Sequence, residues 1–323
     1  MQLRGFHHLT AITGDIANNR KFFTDTLGMR LVKKTVNQDD VSAYHLFYAD
    51  GRGSPGTDMT FFDWPMPREQ RGTHSIVRTG FRVPTSSLNY WRDRLRELGV
   101  KQNDIVERDG RQVVDLEDAE GQRLSLVADE RAGGTENAWA KSPVRAEHQL
   151  RGLGPITISV PRRDPTEAVL TDLMGMRRTR EYKWAASDGS QGSSDSRVFV
   201  YESGDGSLGP AAELHVAVEP HLPPAGQGAG GVHHVAFRVP TFEEYDQWAA
   251  RLKEARVPSS GPVDRFYFRS LYFREPNGIL FELATDGPGF ASDEPMDSMG
   301  ERLALPPFLE PRRKEIEAGI KVI

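Results

Sequence analysis

The sequence predicts an α+β protein that consists of four related modules. Three observations support this prediction. One pattern, made of a strand, an amphipathic helix and several further strands, recurs four times, as expected of a modular architecture. The predicted strands alternate apolar and polar side chains with a period of two. The modules end in a turn of the form Asp/Glu-x-x-Gly followed by one last strand.

The clearest pair of copies covers residues 80–100 and 236–257. Both contain Phe-Arg-Val-Pro-Thr, and the final threonine of this motif is predicted to cap a helix. An apolar stripe at helical spacing follows in each copy. Its residues are Leu88, Trp91 and Leu95 in the first copy and Tyr245, Trp248 and Leu252 in the second. The other two copies begin at Gly5 and Gly152 and share a helix that ends in Leu/Met-Gly-Met, where the glycine is the expected stop.

The spacing of the copies predicts two tandem domains. Residues 1–130 hold the first two modules and residues 151–290 hold the last two. Residues 131–150, with glycine, serine and proline, form the predicted linker. Residues 291–323 form a tail that begins as a loop and ends in a short helix after Pro311. A chain of 323 residues is long enough for two domains with sizeable cores.

The composition excludes several classes of function. The net charge of −5 without a basic cluster predicts no nucleic-acid partner. The sequence contains no run of about 18 apolar residues that could span a membrane. The opening MQLRGFHHLT lacks the apolar core of a signal peptide. We therefore expect a cytoplasmic protein. With no cysteine in the sequence, any metal must be bound by nitrogen and oxygen.

A histidine doublet opens two of the predicted strands, His7-His8 near the start and His233-His234 far downstream. Alternation places the large apolar residues that follow His234 on the helix-facing side of the sheet, so His234 should point into a cavity. By the same alternation His8 shares the cavity face with Thr10. His7 and His233 should then lie on the opposite, apolar face.

Glu282 is a polar exception on the last predicted strand, residues 278–286, which follows a Pro-Asn-Gly turn. Phe281 and Leu283 form the apolar face of this strand. A lone histidine on a strand is more often structural than functional. Two histidines and one carboxylate, each on the cavity face of its strand, match the facial triad that binds non-haem Fe(II). We therefore expect His8, His234 and Glu282 to bind one metal ion.

The module pattern and three further segments resemble a known family. The segments are HHLTAITGD at the start, TFFDWP at residues 60–65 and LPPFLEPRR in the tail. With the doublets, they resemble the vicinal oxygen chelate superfamily of glyoxalase I, extradiol dioxygenases and bleomycin-resistance proteins. Within it, the chain is similar to the hydroquinone-type ring-cleaving dioxygenases typified by 2,6-dichlorohydroquinone 1,2-dioxygenase. This resemblance implies four βαβββ modules in two tandem domains that form cupped mixed sheets.

The alignment of the modules separates the branches of that superfamily. Pro155 stands where the first module has His8, so a catechol-type site, with both histidines from the third and fourth modules, is disfavoured. Arg78 stands at the position of His234 in the second module, and Ser125 at that of Glu282. Glyoxalase I uses four protein ligands and therefore needs a second carboxylate. In the first module the residue at approximately that position is Thr60. One site remains, built from the first and fourth modules.

The resemblance implies further residues around the substrate. Thr10 would hydrogen-bond a ligand or bound oxygen, Arg265 would hold a phenolate, and Tyr272 would act as an acid or base. Arg269 and Tyr267 lie close to this pair in sequence and are alternatives for it. The resemblance also implies that His7 and His233 orient the metal ligands or relay protons.

The implied function is Fe(II)-dependent ring cleavage of a para-hydroquinone or related aromatic diol by O2. One alternative is a glyoxalase-like lyase or isomerase with Mn, Zn or Ni, and another is a non-catalytic small-molecule binder of the drug-resistance type. The sequence is compatible with a homo-oligomer. The candidate pocket aromatics are Phe62, Trp64, Phe266 and Phe268, and the histidines left without a functional pattern are His45, His74, His148, His215 and His221.

Overall fold

A computed structural model describes residues 1–184 and 196–323 of the chain. The elements of the first half are β1 (Phe6–Thr13), α1 (Ile16–Lys21), β2 (Arg30–Val36), β3 (Tyr44–Ala49), β4 (Asp58–Asp63), β5 (Ser75–Val83), α2 (Leu88–Glu97), β6 (Lys101–Gln102), β7 (Val106–Arg108), β8 (Arg111–Glu117) and β9 (Arg123–Ala128). Those of the second half are β10 (Leu153–Val160), α3 (Arg163–Ala168), β11 (Arg177–Trp184), β12 (Ser196–Glu202), β13 (Glu213–Val218), β14 (Val232–Val239), α4 (Phe242–Glu254), β15 (Val263–Asp264), β16 (Phe268–Arg274), β17 (Leu280–Pro288) and α5 (Arg313–Gly319).

The strands form two mixed sheets, and each sheet combines a module from the first half of the chain with one from the second. The eight-stranded sheet has the order β15-β16-β17-β14-β1-β4-β3-β2. The nine-stranded sheet includes the path β11-β12-β13-β10-β5-β9-β8-β6, with β7 paired to β8. At the centre of the first sheet β1 and β14 pair antiparallel, as β5 and β10 do in the second. The first and fourth modules therefore share one sheet, which places the two histidine doublets on neighbouring strands.

The helices pack as their apolar stripes predict. The stripe residues of α2 and α4 are all buried, and they belong to the same hydrophobic core as the apolar faces of the central strands. Thr241 caps α4, because its side chain accepts a hydrogen bond from the backbone of Glu244 at 3.1 Å. The equivalent prediction for Thr85 is wrong. Thr85–Ser87 form a 3-10 turn before α2, so the helix begins after Ser87, which makes no side-chain cap.

The Leu/Met-Gly-Met stops are also confirmed. α1 and α3 each continue into a π-helical turn, and the glycines that follow these turns, Gly28 and Gly175, have φ angles of +73° and +69°. A residue with a Cβ adopts this left-handed conformation only at a cost, so glycine ends the helix here.

The C-terminal tail covers β2, the strand at one edge of the first sheet. Leu303 bridges to Lys34, and the backbone of Ala304 donates to the carbonyl of Lys34 at 2.9 Å. The predicted helix is present as α5, and Ile316 on it packs against Val36. A covered edge strand is protected from pairing with another chain. Within residues 1–184 and 196–323, none of the helices has the length and apolarity needed to cross a membrane.

Candidate metal centre

Three side chains from the first and fourth modules converge at the centre of the eight-stranded sheet. Nε2 of His8 lies 3.1 Å from Oε2 of Glu282, and Nε2 of His234 lies 2.9 Å from the same oxygen. His8, His234 and Glu282 have exposures of 2%, 3% and 0%. Their potential ligand atoms all lie within 4.8 Å of one another. The residues predicted from strand alternation thus meet in one buried cluster.

The apolar faces of the same strands confirm the predicted strand orientations. Phe281 and Leu283 lie in the main hydrophobic core on the helix side of β17, whereas Ala284 belongs to a separate cluster on the side of Glu282. We call the face of the eight-stranded sheet that carries the three converging residues the first cup. The corresponding face of the nine-stranded sheet, which carries Arg78, Asp115 and His215, is the second cup.

The buried atoms of this cluster lack the hydrogen bonds that buried polar groups normally have. Within the part of the chain that the structure describes, the short contacts of Glu282 with His8 and His234 lack hydrogen-bond geometry, so both carboxylate oxygens of Glu282 and Nε2 of His234 are left without a hydrogen bond. Although burial favours the neutral acid, His8 and His234 hold the pKa of Glu282 well below its usual range. A buried carboxylate that faces two imidazole nitrogens is a donor set that fits a divalent cation of the transition series.

Two β-bulges overturn the prediction that His7 and His233 lie on the apolar face. In the pairing of β1 with β14, Phe6 is opposite Phe237 and His8 is opposite Ala236, which leaves His7 as the extra residue. On β14, the register shift opposite Thr10 and Ala11 leaves His233 as the extra residue in the same way. At a bulge two residues of one strand oppose one residue of its partner, so simple alternation fails. As a result, the two histidine side chains within each doublet contact each other.

The two doublets have the same internal geometry. Nδ1 of His7 lies 2.8 Å from Nδ1 of His8, and Nδ1 of His233 lies 2.8 Å from Nδ1 of His234. Because Nε2 of the second histidine faces Glu282, its Nδ1–H can donate to the Nδ1 of the first. Burial, followed by the charge of the neighbouring histidine, lowers the pKa of His7 and of His233 to about 3. A neutral first histidine is suited to accept this hydrogen bond and to hold the ring of the second.

The first cup contains a pocket next to the cluster of His8, His234 and Glu282, and its roughly 450 Å³ of space is partly open to solvent. The pocket is lined by His8, Thr10, Thr35, Val36, Asn37, Gln38, Asp39, His45, Phe47, Phe62, His234, Arg265, Tyr267, Phe268 and Tyr272. A small aromatic molecule in this pocket would lie against His8 and His234 on one side and against aromatic rings on others.

Arg265 and Tyr272 both line this pocket, as the resemblance implies. The Tyr272 ring lies 5.6 Å from the His234 ring, and the Arg265 guanidinium lies 5.6 Å from the Tyr272 ring. Burial, followed by the charge of Glu282, raises the pKa of Tyr272, so its hydroxyl keeps its proton. Of the two alternatives, Tyr267 lines the pocket as well, whereas Arg269 lies over the Phe242 ring, at 4.2 Å.

Arg265, in the fourth module, is held in place by the segment of the first module that lies between β2 and β3. Asp39 accepts two hydrogen bonds from the guanidinium, at 3.1 and 2.8 Å. The side chain of Gln38 donates to the backbone carbonyl of Arg265 at 2.8 Å. The guanidinium is thus held at the pocket wall by a carboxylate more than 220 residues away in sequence. Sequence reasoning missed this contact because it depends on the pairing of the two modules.

Two of the four predicted aromatics line the pocket, Phe62 and Phe268. Trp64 stands behind Phe62, with ring centroids 4.6 Å apart, and Phe266 packs against Tyr267. Phe47 and Tyr267 line the pocket but were not among the predicted aromatics. Phe47 had no predicted role, whereas Tyr267 was considered only as an alternative to Tyr272.

Thr10 lies in the pocket, as predicted, and begins a hydrogen-bonded chain. Its Oγ1 is 2.8 Å from Oγ1 of Thr60, which in turn is 3.0 Å from Nε2 of His45. His45 had no role in the sequence analysis, yet its ring lines the same pocket. The place of His45 in the pocket depends on the pairing of its strand, β3, with β4. The sequence alone does not reveal this pairing.

A second group of potential ligands, Asp109, Glu213 and His215, lies in the second cup. Arginines already occupy its carboxylates. Arg111 donates to both oxygens of Glu213 at 2.7 Å, and Arg180 pairs with both Glu213 and Asp109. Carboxylates whose lone pairs accept from guanidinium groups are poor metal ligands, so this group is an ion-pair network.

A comparison with protein families agrees with the fold and the repeat pattern. The model described as the Glyoxalase/Bleomycin resistance protein/Dioxygenase superfamily matches residues 5–126 and residues 152–283. The chain belongs to this superfamily.

Several members of the superfamily are similar to this chain over its whole length. MhqA from Bacillus subtilis (strain 168), provisionally named a ring-cleaving dioxygenase, is 46% identical over 100% of both chains. The chlorohydroquinone/hydroquinone 1,2-dioxygenase of Sphingobium indicum is 28% identical over 98% of this chain and 95% of its own. The relatives of this superfamily member are thus named as enzymes that cleave aromatic rings with oxygen.

Solved structures of the superfamily show the same architecture. A provisionally named dioxygenase from Bacillus subtilis has a TM-score of 0.87 and 34% identity, over 100% of this chain and 98% of its own. Glyoxalase I from Zea mays has a TM-score of 0.61 at 14% identity, over 87% of this chain and 92% of its own. The second likeness shows the fold alone.

Proposed function

We propose that this protein is an Fe(II)-dependent, extradiol-type ring-cleaving dioxygenase that acts on a para-hydroquinone or a closely related aromatic diol. The main support is the convergence of His8, His234 and Glu282, with unpartnered buried atoms, beside an aromatic-lined pocket. The names of the relatives point to the same class of reaction.

The donor set fits the proposed metal. Two imidazole nitrogens and one carboxylate form a facial triad that leaves coordination positions open for small molecules. When bound, Fe(II) would supply the redox chemistry that allows O2 to react with an aromatic ring. His8, His234 and Glu282 would bind the ion, and His7 and His233 would hold the two ligand rings through their Nδ1 atoms.

Arg265 and Tyr272 support the bound substrate in this proposal. The guanidinium, fixed by Asp39, would stabilise a phenolate oxygen by charge. The Tyr272 hydroxyl, protonated because burial raises its pKa, would donate a hydrogen bond to the same oxygen and later exchange a proton with the reacting ring. Phe47, Phe62 and Phe268 would contact the ring faces and exclude water.

The observed side chains favour this reading over the two other classes. Thr10 lies opposite Thr60 in the pairing of β1 with β4, as Ala236 lies opposite Glu282 in the pairing of β14 with β17. Thr60 thus occupies the first-module equivalent of Glu282, where a glyoxalase-type site needs its second carboxylate. A binder without catalysis would have no need of a buried carboxylate that faces two imidazole nitrogens.

Oxygen consumption tests the proposal directly. The protein is purified anaerobically, loaded with Fe(II), and assayed with hydroquinone, methylhydroquinone and catechol in an oxygen electrode. We expect the two hydroquinones to be consumed with one O2 each and with a much higher kcat/KM than catechol, which would bind iron through two hydroxyls. A preference for catechol, or turnover of methylglyoxal and glutathione without oxygen consumption, would contradict the proposal.

A further inference from the structure

Three side chains of the first module form a hydrogen-bonded chain whose two ends lie in the same pocket. Thr10 and His45 line the pocket, and Thr60, which is fully buried, lies between them. The chain runs from Oγ1 of Thr10 to Oγ1 of Thr60 at 2.8 Å and on to Nε2 of His45 at 3.0 Å. Thr10 is two residues from His8, so one end of the chain lies beside the metal cluster.

The chemistry of these groups gives the chain a direction that can reverse. A threonine hydroxyl donates one hydrogen bond and accepts others. Thr60 contacts two partners, so it donates to one of them and accepts from the other. In one arrangement Thr10 donates to Thr60 and Thr60 donates to Nε2 of His45. In the other, every donor and acceptor is exchanged.

The His45 ring is placed to complete this exchange. It packs between Phe47 and Phe62, with ring centroids 4.0 and 4.5 Å away. Among the described residues no partner engages Nδ1, the ring nitrogen that does not face Thr60. A neutral imidazole can take a proton on one nitrogen while it releases one from the other. The ring is held neutral, because burial followed by the nearby histidines lowers the pKa of His45 well below its usual value.

We propose that Thr10, Thr60 and His45 form a proton relay that accepts a proton from a substrate hydroxyl beside the metal cluster and releases one at Nδ1 of His45. The proposal rests on the proposed function. The substrate O–H passes its proton to Thr10, Thr10 passes its own to Thr60, Thr60 passes its own to Nε2 of His45, and Nδ1 of His45 releases its proton to a solvent water molecule. No electrons are transferred. The Thr10 hydroxyl afterwards donates a hydrogen bond to the new phenolate.

Pseudo-symmetry shows that the fourth module lacks this hydrogen-bonded chain. In the fourth module the register position of Thr60 carries Glu282, and that of Thr10 carries Ala236. One module therefore supplies a ligand where the other supplies a relay hydroxyl. Thr60 acts here as a positioning residue, because it touches Thr10 and His45 and does not line the pocket.

Thr60→Val removes the central hydroxyl at nearly constant volume, and Thr60→Ser restores it. Thr79→Val is the matched control, since Thr79 is a buried threonine of the second sheet whose hydroxyl has no hydrogen-bond partner in the described residues.

With the Fe(II)-loaded full chain and hydroquinone, we expect Thr60→Val to lower kcat about 100-fold while KM changes less than about threefold. The solvent isotope effect on kcat should rise, and Thr60→Ser should recover most of the activity. His45→Gln, which cannot exchange protons between two ring nitrogens, should resemble Thr60→Val.

Two measurements do not depend on turnover. Iron content should be unchanged in all variants, because none of the altered side chains is a proposed ligand. In the Zn(II)-loaded protein, Thr60→Val should shift the ¹⁵N resonance of His45 Nε2, and Thr79→Val should not. A Thr60→Val enzyme with wild-type kcat, isotope effect and His45 resonances would overturn the relay alone. A wild-type enzyme that consumes no oxygen with hydroquinone would contradict the proposed function and remove the relay with it.

Discussion

The first and second cups have equivalent backbones and opposite chemistry. Thr10 pairs with His234 in the first sheet as Thr157 pairs with Arg78 in the second. Ala236 pairs with Glu282 as Gly80 pairs with Ser125. The positions of a proposed imidazole ligand and a proposed carboxylate ligand are therefore held by a cation and a hydroxyl in the second cup.

The second cup is filled by groups that neutralise one another. Asp115, at the register position of Tyr272, pairs with Arg78 at 3.1 Å and also with Arg108. Ser125 donates to Asp115 at 2.5 Å. Although burial favours the neutral acid, Arg78 and Arg108 lower the pKa of Asp115. The carboxylate of Asp115 accepts hydrogen bonds from arginines, whereas within the described chain the carboxylate of Glu282 faces two imidazole nitrogens without hydrogen-bond geometry.

The comparison teaches that the fold supplies the positions and that the balance of donors and acceptors decides the function. A metal requires several lone pairs that converge without protons between them. The first cup provides these lone pairs. In the second cup, the residues at the equivalent positions take part in ion pairs and hydrogen bonds with one another. Four predictions test this distinction.

The largest effect is expected for Glu282→Ala, which should reduce iron from about one per chain to near zero and abolish oxygen consumption. Its matched control is Ser125→Ala, at the equivalent position of the second cup, which should retain full iron content.

Phe281→Ala should keep the metal in the folded protein but lose about 3 to 5 kcal/mol of unfolding free energy, as a core truncation does. Plasma emission analysis and urea unfolding measure these quantities. Full iron content in Glu282→Ala would break the comparison.

Glu213→Ala should lower the free energy of unfolding by about 3 kcal/mol, because it removes the buried carboxylate that Arg111 and Arg180 share and leaves them to pair with Asp109. Iron content should not change. The control Glu181→Ala removes an exposed partner of Arg197 and should cost less than about 1 kcal/mol. If Glu213→Ala lost iron and kept its stability, the second cup would be a metal site after all.

Tyr272→Phe should lower kcat about 100-fold, because a proton donor beside the substrate is lost. The control is Tyr182→Phe, whose hydroxyl lies 2.9 Å from Nδ1 of His215 in the second cup. That variant should lose about 1 kcal/mol of stability and no activity. Steady-state oxygen uptake and thermal unfolding of both variants decide the matter, and equal kcat values for Tyr272→Phe and the wild type would contradict a role in proton transfer.

A smaller effect is expected from pH. Although burial alone would raise it, His215 and Arg111 hold the pKa of Glu213 well below its usual value in the folded protein. A depressed carboxyl pKa stabilises the folded state above the unfolded value, about 4, and this contribution is lost as the pH falls further. Urea unfolding between pH 6 and pH 3 should therefore show a steeper loss for the wild type than for Glu213→Ala. Parallel curves would show that the ion pairs contribute little.

Much of the fold and the three converging residues could be predicted because each depends on local periodicity. The alternation of Phe281, Glu282 and Leu283 predicts which side chain leaves the core, and the structure confirms it. The orientation of His7 and His233 could not be predicted, because a bulge is defined by the register of two strands more than 200 residues apart.

The rest of the pocket depends on contacts between modules. His45 and Phe47 reach the site only because β3 pairs with β4 next to β1. Asp39 reaches Arg265 across the interface of the first and fourth modules. Lys33 is fully buried against Asp293 and Glu294 of the tail. None of these pairs has a local signal in the sequence.

The central claim, one metal in the first cup and none in the second, is tested most directly by anomalous diffraction from crystals of the Fe(II)-loaded protein. We predict a single iron peak, with Nε2 of His8, Nε2 of His234 and a carboxylate oxygen of Glu282 each within about 2.0 to 2.3 Å of it. No peak should appear among Asp109, Glu213 and His215. A peak in the second cup, or an iron that any of the first three side chains does not reach, would contradict the account.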